Sequence, residues 1–515
     1  MKYDKLSNAD IKWITKLYAS KEPRDVIQDS IASKFNIKKR TVRRWAKKLE
    51  IVNEPTAHFV QAQKKVLQEK KYYLITWGQN STPVHPRFMD NLEAYSEFLG
   101  AEISIIAGRY RNPTSIFPDS DKEIWDERIL PYLDASRHTI HKYMEILSDI
   151  KIHPTARLPL SSFEGVSSER SSIIGHPRVH QKVIAALNGY KPKMMLTTGA
   201  CTVKNYTDSK AGKIGEFHHT LGFVIVEIDG DDFYVRQVTA DEKTGSFTDL
   251  IYYVDSGHVG EAKKAEAIVF GDIHVGDHDP ECISSTVELC DVLKPKTVVL
   301  HDVLNGHSIN RHESKNPFAK FSKMKTGDHS LKKEIDNVID FCDTLKENMP
   351  YSEDFVVVNS NHDAWIEAYL VNQDWKKDVS NALSYMEYST MLLKGFAKKG
   401  VLATVLDNNV EDIITLALDE SYRLSNWELG VHGHQGANGS RGNPNQFKKL
   451  STKMITGHTH TPSRVDGVVT VGTSTFLRVG YNTGASGWLQ SHAIINADGK
   501  VQQIHCINNK FTTLI

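Results

Sequence analysis

Apolar residues recur along this chain in two periods. Over the first fifty positions the spacing is helical: Ser7 with Asp10 three places on makes a capping pair, and Ile11, Ile14, Leu17 and Tyr18 mark one face of a first helix. Pro23 suits the opening of a second helix that runs through Ile27 and Ile31 to Phe35. After a turn at Asn36-Ile37, a third helix places Val42, Trp45, Ala46 and Leu49 inward. Residues 51–71 are polar and rich in Lys and Gln, and read as a linker. From Tyr72 the pattern becomes strand, helix, strand: Tyr72–Trp77, Pro86–Leu99 closed by Gly100, and Glu102–Ala107, a β-α-β unit. Leu221–Ile228 and Phe233–Val238 flank Asp229-Gly230 as a hairpin. In the second half, five short runs read as buried strands: Ala267–Phe270, Thr297–Leu300, Phe355–Val358, Trp427–Val431 and Met454–Thr456.

Each of those five runs is followed by a cluster of histidine and acid or amide: Asp272-Ile-His274, His301-Asp302, Asn361-His362-Asp363, His432-Gly-His434 and His458-Thr-His460. Clusters at the carboxyl ends of strands converge in space however far apart they lie in sequence. Two divalent cations held ~3.5–4 Å apart need a bridging carboxylate, several neutral imidazoles and open positions for water and a phosphate oxygen. A mixed His, Asp and Asn set without cysteine suits manganese, iron or zinc better than a structural zinc knot.

Charge changes the picture at the other end. The chain is balanced overall, with 63 Lys and Arg against 63 Asp and Glu, yet residues 1–70 carry 17 basic against 8 acidic residues. Lys39, Arg40, Arg43, Arg44 and Lys47 fall on the outer face of the third helix, which makes 1–52 a helix-turn-helix with a basic recognition helix and DNA the expected partner. In the middle region, Ser167–Ser172 and Thr197–Thr202 are loops of a composition that can cradle phosphate, the second followed by Lys204, Lys210, Lys213, His218 and His219. Gly108-Arg109-Tyr110-Arg111 is a weaker candidate of the same kind. The five scattered cysteines have no metal-site spacing and are expected as reduced thiols of a cytoplasmic protein. The chain shows no signal peptide or membrane span and no G-x-x-x-x-G-K-S/T loop, so neither a membrane partner nor a nucleotide-driven motor is expected.

The series D-x-H, D-x-x-N, N-H-D, H-G-H and G-H-x-H resembles the fingerprint of the calcineurin-like metallophosphoesterase superfamily over about Glu266 to Ile495. The Asp272-Ile-His274-Val-Gly276 form is similar to the SbcD-like nuclease branch. Two of the family's glycines are replaced, by His301 and Ser360, which bears on the shape of tight turns. The resemblance implies an α/β fold with a two-sheet β-sandwich flanked by helices. It implies that Asp272, His274 and His460 hold one metal, that Asp302 bridges, and that Asn361, His432 and His458 complete the second, with His434 a contact beside the metals or to substrate. His362 would face the scissile phosphate off the metals, with Asp363 holding its ring, and His307 and Arg311 would contact a DNA backbone.

The expectation is therefore a helix-turn-helix at 1–52, a linker at 53–71, an α/β domain of unassigned role at 72–260 and a metallophosphoesterase domain at 261–515. Its implied activity is that of a two-metal deoxyribonuclease, bacterial or, if phage-encoded, working in the host cytoplasm, that hydrolyses phosphodiesters with a metal-bound hydroxide. Manganese is the first choice of metal, with iron, zinc or magnesium as alternatives. Two other readings compete: a small-molecule or cyclic-nucleotide phosphodiesterase, which leaves the basic helix unexplained, and a DNA-binding regulator with an inactive phosphoesterase domain, which the complete set of ligand residues disfavours. Self-association and a partner ATPase are left open.

Overall fold

In the computed structural model, which describes residues 6–18, 24–49, 67–117, 123–310, 313, 316–373, 375–450, 452–480 and 482–515, the N-terminal pattern folds as three helices, Asn8–Tyr18, Arg24–Phe35 and Lys39–Lys48. Ser7 and Asp10 cap the first reciprocally: the Asp10 N–H donates to Ser7 Oγ at 3.2 Å and the Ser7 N–H donates to Asp10 Oδ2 at 3.2 Å. Ile14, Tyr18, Ile27, Ile31, Val42, Trp45 and Ala46 form their shared core, so the helical period read from the sequence marks the faces that meet. Pro23, expected at the start of the second helix, lies outside the described residues.

Tyr72–Gln79 and Glu102–Gly108 pair in parallel and are joined by the helix Pro86–Leu99, which ends on Gly100 at φ +64°, a left-handed cap that a side chain would strain. This sheet has the order Asp232–Thr239, Gly222–Asp229, Tyr72–Gln79, Glu102–Gly108, Leu133–Asp134. Leu74, Ile105, Phe223 and Ile225 from its strands pack with Phe88, Leu92 and Tyr95 of the helix and with Phe247. The chain divides into two compact units, one of Met1–His180, Met195–Phe233 and Gln237–Glu261, the other of Gln181–Met194, Tyr234–Arg236 and Ala262–Ile515.

The second unit is built on a six-stranded sheet in the order Ile413–Thr415, Asp354–Val358, Thr297–His301, Ala267–Val269, Ser491–Ile495, Val501–His505. Its first four strands are parallel and the last two antiparallel. Side chains alternate across it. Ile268, Val298, Leu300, Phe355 and Val357 face a helical layer through Leu331, Ile335, Val338, Cys342 and Leu406, whereas Ala267, Val269, Val299, Val356 and Val358 share a cluster with Trp427, Leu429, Ile455 and Val469 of a second group of strands. Both faces are buried, which is why these strands read as unbroken apolar runs.

In the second group, Trp427–Glu428, Lys453–Thr456 and Val468–Thr470 run in parallel. The run expected at Trp427–Val431 is strand only over Trp427–Glu428: the Leu429 N–H turns to the Tyr422 carbonyl at 2.8 Å, and a Cβ on Gly430 would sit 2.2 Å from the Glu420 carbonyl oxygen. All five cysteines are free and buried, and no helix among the described residues is long and apolar enough to cross a membrane. The architecture is α/β.

Candidate metal centre

Five loops leave the carboxyl ends of parallel strands in the second unit and carry the residues singled out above. After Ala267–Val269 come Asp272 and His274; after Thr297–His301, Asp302; after Asp354–Val358, Asn361, His362 and Asp363; after Trp427–Glu428, His432; after Lys453–Thr456, His458 and His460. Hydrogen bonds from backbone N–H groups tie the loops to one another beyond the strands: the His274 N–H donates to the Asp302 carbonyl at 2.8 Å, the Gly457 N–H to the His432 carbonyl at 2.7 Å, and the His458 N–H to the Asp272 side-chain Oδ2 at 2.8 Å. His274, Asp302, His458 and His460 all take left-handed backbone angles, with φ of 48°, 52°, 76° and 54°. Such angles cost a residue with a Cβ ~1–2 kcal/mol, so their concentration on four of these side chains marks a site where geometry is set at the expense of local comfort.

Asp272, His274, Asp302 and His460 are buried, and ligating atoms from all four lie within 4.8 Å of one another. His460 Nε2 is 3.0 Å from Asp272 Oδ2 and 3.0 Å from His274 Nε2, which is 3.3 Å from Asp302 Oδ2. The same Asp302 oxygen lies 3.5 Å from His432 Nε2, which reaches Asn361 Oδ1 at 3.1 Å. Asp302 thus stands between the His274 side of the cluster and the His432 side. The His458 ring lies 5.3 Å from that of His432, and His434, half-buried, is 5.5 Å from His432 and 6.0 Å from His458 by ring centroid.

The donor set fits a divalent cation. Asp272 Oδ1 and Asp302 Oδ1 are buried and accept no hydrogen bond from the described residues, an expensive arrangement for a carboxylate unless a cation takes the lone pairs. Gly457 leaves the room: a Cβ there would lie 2.2 Å from Asp272 Oδ1. Burial pushes the imidazole pKa values down, His274 to about 3, His458 to about 4 and His432 well below the ordinary value, and burial pushes the Asp272 carboxyl up. Neutral imidazole is the form that ligates. This cluster can hold a metal ion.

His362 lies beside the cluster, its ring centroid 4.6 Å from that of His274. Its Nδ1 donates to the Asn305 carbonyl at 2.5 Å and its ring stacks on Trp365 at 4.1 Å and 19°. Asp363 was expected to hold this ring and does not. Its carboxylate turns back to accept the Ser360 N–H at 2.9 Å, because the chain folds into a tight turn there before the helix Ala364–Asn372. Burial first, and the charge of Asp302 second, push the Asp363 pKa up to about 8.

Other expected contacts fare differently. The His307 N–H donates to Glu334 Oε1 at 2.7 Å and its carbonyl accepts from Lys323 Nζ at 2.6 Å, so its backbone is anchored to neighbouring helices. Arg311 lies outside the described residues. On the basic helix, Lys39 Nζ pairs with Asp29 Oδ1 at 2.8 Å, and the side chains of Arg40, Arg43, Arg44 and Lys47 lie outside the described part of the structure. The Thr197–Thr202 loop is no phosphate cradle: Thr197, Thr198 and Thr202 are fully buried, with Thr197 Oγ1 donating to the Arg178 carbonyl, Thr198 Oγ1 to the Gly199 carbonyl, and Thr202 Oγ1 accepting the Gln79 N–H.

Several further residues shape the centre. His492 Nδ1 accepts the Gly271 N–H at 2.9 Å beneath the Asp272 loop, and Thr473 Oγ1 donates to the Asp272 carbonyl at 3.0 Å. Trp488 packs edge-on against His460 at 4.1 Å. His301 was read as a change of turn, yet its ring is buried against His432, with the two Nδ1 atoms 3.4 Å apart. A run of β-branched residues ending in Gly472-Thr473-Ser474-Thr475 was the available signal for Thr473; the other contacts leave no local trace.

No family model and no solved structure matches this sequence. It is 33% identical over 473 residues to Protein A1 of Escherichia phage T5, across 86% of this chain and 83% of that protein. With that identity sustained along most of both chains, this protein belongs to the family of the phage T5 Protein A1.

Proposed function

We propose that the second unit is a calcineurin-like metallophosphoesterase of the SbcD type and that the chain is a metal-dependent deoxyribonuclease. The observation that carries the hydrolase part is that Asp302 Oδ2 lies within 3.5 Å of both His274 and His432, with Asp272 and His460 gathered on the His274 side and Asn361 and His458 on the His432 side. Asp272, His274 and His460 would hold one cation, Asn361, His432 and His458 a second, and Asp302 would bridge. Bound there, two divalent cations, manganese first among candidates, would lower the pKa of a water molecule and spread the negative charge that builds on phosphate.

The residues of the chain supply the rest. With Nδ1–H committed to the Asn305 carbonyl, His362 has Nε2 for substrate. As imidazolium it would pass that proton to the leaving oxygen as the phosphorus–oxygen bond breaks. Trp365 holds the ring from behind and the Asn305 carbonyl fixes its tilt. DNA as substrate is supported by the basic N-terminal helix, and a relative from a phage supports work in a host cell's cytoplasm.

The test is hydrolysis in manganese of a panel of labelled single- and double-stranded DNA, RNA, cyclic nucleotides and a generic bis-ester. DNA cleavage is expected. Turnover of the small diesters alone would replace the nuclease by a small-molecule phosphodiesterase, and failure on every substrate in a chain that retains DNA binding would favour a regulator. Removing residues 1–50 should weaken DNA binding, reduce its salt dependence and leave bis-ester hydrolysis unchanged.

A further inference from the structure

We infer that His301 is a positioning residue that selects the metal-ligating tautomer of His432, an inference that rests on the metal-site reading above. His301 ends the strand Thr297–His301 and is fully buried. Alternation along the strand puts it on the face of Val299, toward the second group of strands and the loop that carries His432. Where the resembling family has a glycine, this chain has placed an imidazole.

The geometry defines what that imidazole does. His301 Nδ1 lies 3.4 Å from His432 Nδ1, while His432 Nε2 lies 3.1 Å from Asn361 Oδ1 and 3.5 Å from Asp302 Oδ2. A neutral imidazole carries one proton. If it sits on His432 Nε2, Asn361 Oδ1 accepts it and that nitrogen has no lone pair for a cation. If it sits on Nδ1, the lone pair of Nε2 faces the Asp302 oxygen, and His301 Nδ1 is the acceptor that holds the proton there. His301 then carries its own proton on Nε2, which has no hydrogen-bond partner among the described residues. A buried imidazole with one ring nitrogen unpartnered is costly, and the contact to His432 is what it provides in return. The fit extends across the loops: a Cβ on Gly457 would lie 3.2 Å from both Cβ and Cγ of His301, so the glycine that clears Asp272 also clears this ring.

The experiment titrates manganese alone, by calorimetry, into the full-length parent and its His432→Ala, His301→Leu and His301→Asn variants, each checked by thermal melting. Leu approximates the volume of His without an acceptor, whereas Asn offers Oδ1 close to where Nδ1 stands. His301→Leu should weaken manganese binding about ten- to a hundredfold, and His301→Asn should stay within about threefold of the parent. If His301→Leu does not fold, His301→Ala, which needs no extra room, takes its place with the same expectation. Parent-like affinity in the Leu or Ala variant would overturn the role, as would equal weakening by Asn and Leu. A parent that takes up no manganese while still folded fails at the metal-site reading and removes this inference with it; retained uptake in His432→Ala would show that His432 is not a ligand and overturn the inference alone.

Discussion

Two sheet edges in this protein look alike from a distance and differ in one respect. In the first unit, polar residues gather where Tyr72–Gln79 and Glu102–Gly108 end, and most of their groups pair with one another: Gln79 Nε2 donates to the Asn205 carbonyl at 2.8 Å, Asn112 Nδ2 to Asn205 Oδ1 at 2.7 Å, and Asn205 Nδ2 to Thr82 Oγ1 at 2.9 Å, while Gln79 Oε1 is buried without a hydrogen bond from the described residues. In the second unit the corresponding edge crowds carboxylates and imidazoles together, with His274 Nε2 and His460 Nε2 3.0 Å apart and one oxygen each of Asp272 and Asp302 accepting no hydrogen bond from the described residues. Amides and hydroxyls carry donors and acceptors together and can close a network among themselves. Ionised carboxylates and the acceptor nitrogens of neutral imidazoles carry acceptors only, so a cluster of them calls for a cation. The first edge is suited to stabilise, and the second can hold a metal ion.

Substitutions at the two edges should therefore separate. The largest effect is expected from Asp302→Ala, which removes the oxygen between the two halves of the centre: bis-ester hydrolysis should fall by about a thousandfold or more, with loss of bound manganese measured by calorimetry. Full activity in that variant would place the chemistry elsewhere. His362→Ala should keep its manganese and lose turnover by about a hundred- to ten-thousandfold, a split that steady-state rates and metal content read together.

Gly457→Ala puts a methyl 2.2 Å from Asp272 Oδ1 and should cost ~1–3 kcal/mol through displacement of that loop. It should appear as weaker manganese binding with the first unit's melting unaffected. Asn205→Ala in the other edge removes hydrogen bonds to Asn112 and Thr82 and should cost ~1–3 kcal/mol of stability by denaturant titration, leaving bis-ester hydrolysis unchanged. A loss of hydrolysis there would erase the contrast between the edges.

The last contrast concerns pH. Burial holds His492 and His505 neutral, with pKa values lowered from 6.5 to about 3. The unfolded chain binds more protons than the folded one between those values. Their contribution is thus complete above about pH 6.5 and declines as pH falls toward 3, so urea midpoints of the metal-free protein should drop across that window. A midpoint that rises on acidification would contradict burial of neutral rings.

The sequence carried much of this arrangement in plain view. The helix caps at Ser7 and Gly100, the parallel pair around Pro86–Leu99 and the strands before Asp272, Asp302 and Asn361 were legible, because each depends on a period of two or 3.6 residues and on local turn chemistry. The strand before His432 came out shorter than read, since its end is set by Tyr422 and Glu420 rather than by its own apolar run. The partner of Asp363, the pairing of Lys39 with Asp29 and the internal use of the Thr197–Thr202 hydroxyls were not legible. A side chain with several polar neighbours within reach gives no local signal as to which it will choose.

By itself, then, the sequence determined the order of the histidine and acid clusters, the kind of element that precedes each, and the contrast between a basic amino end and an acid- and histidine-rich carboxyl half. Only the tertiary structure decided which atoms meet. His274 and His460, 186 residues apart, face each other at 3.0 Å because two groups of strands share one apolar cluster. His301 became a neighbour of His432 because a glycine at 457 leaves room for its ring. Periodicity records what a residue does within its own strand or helix; contacts across a core depend on packing, and no short stretch of sequence contains them.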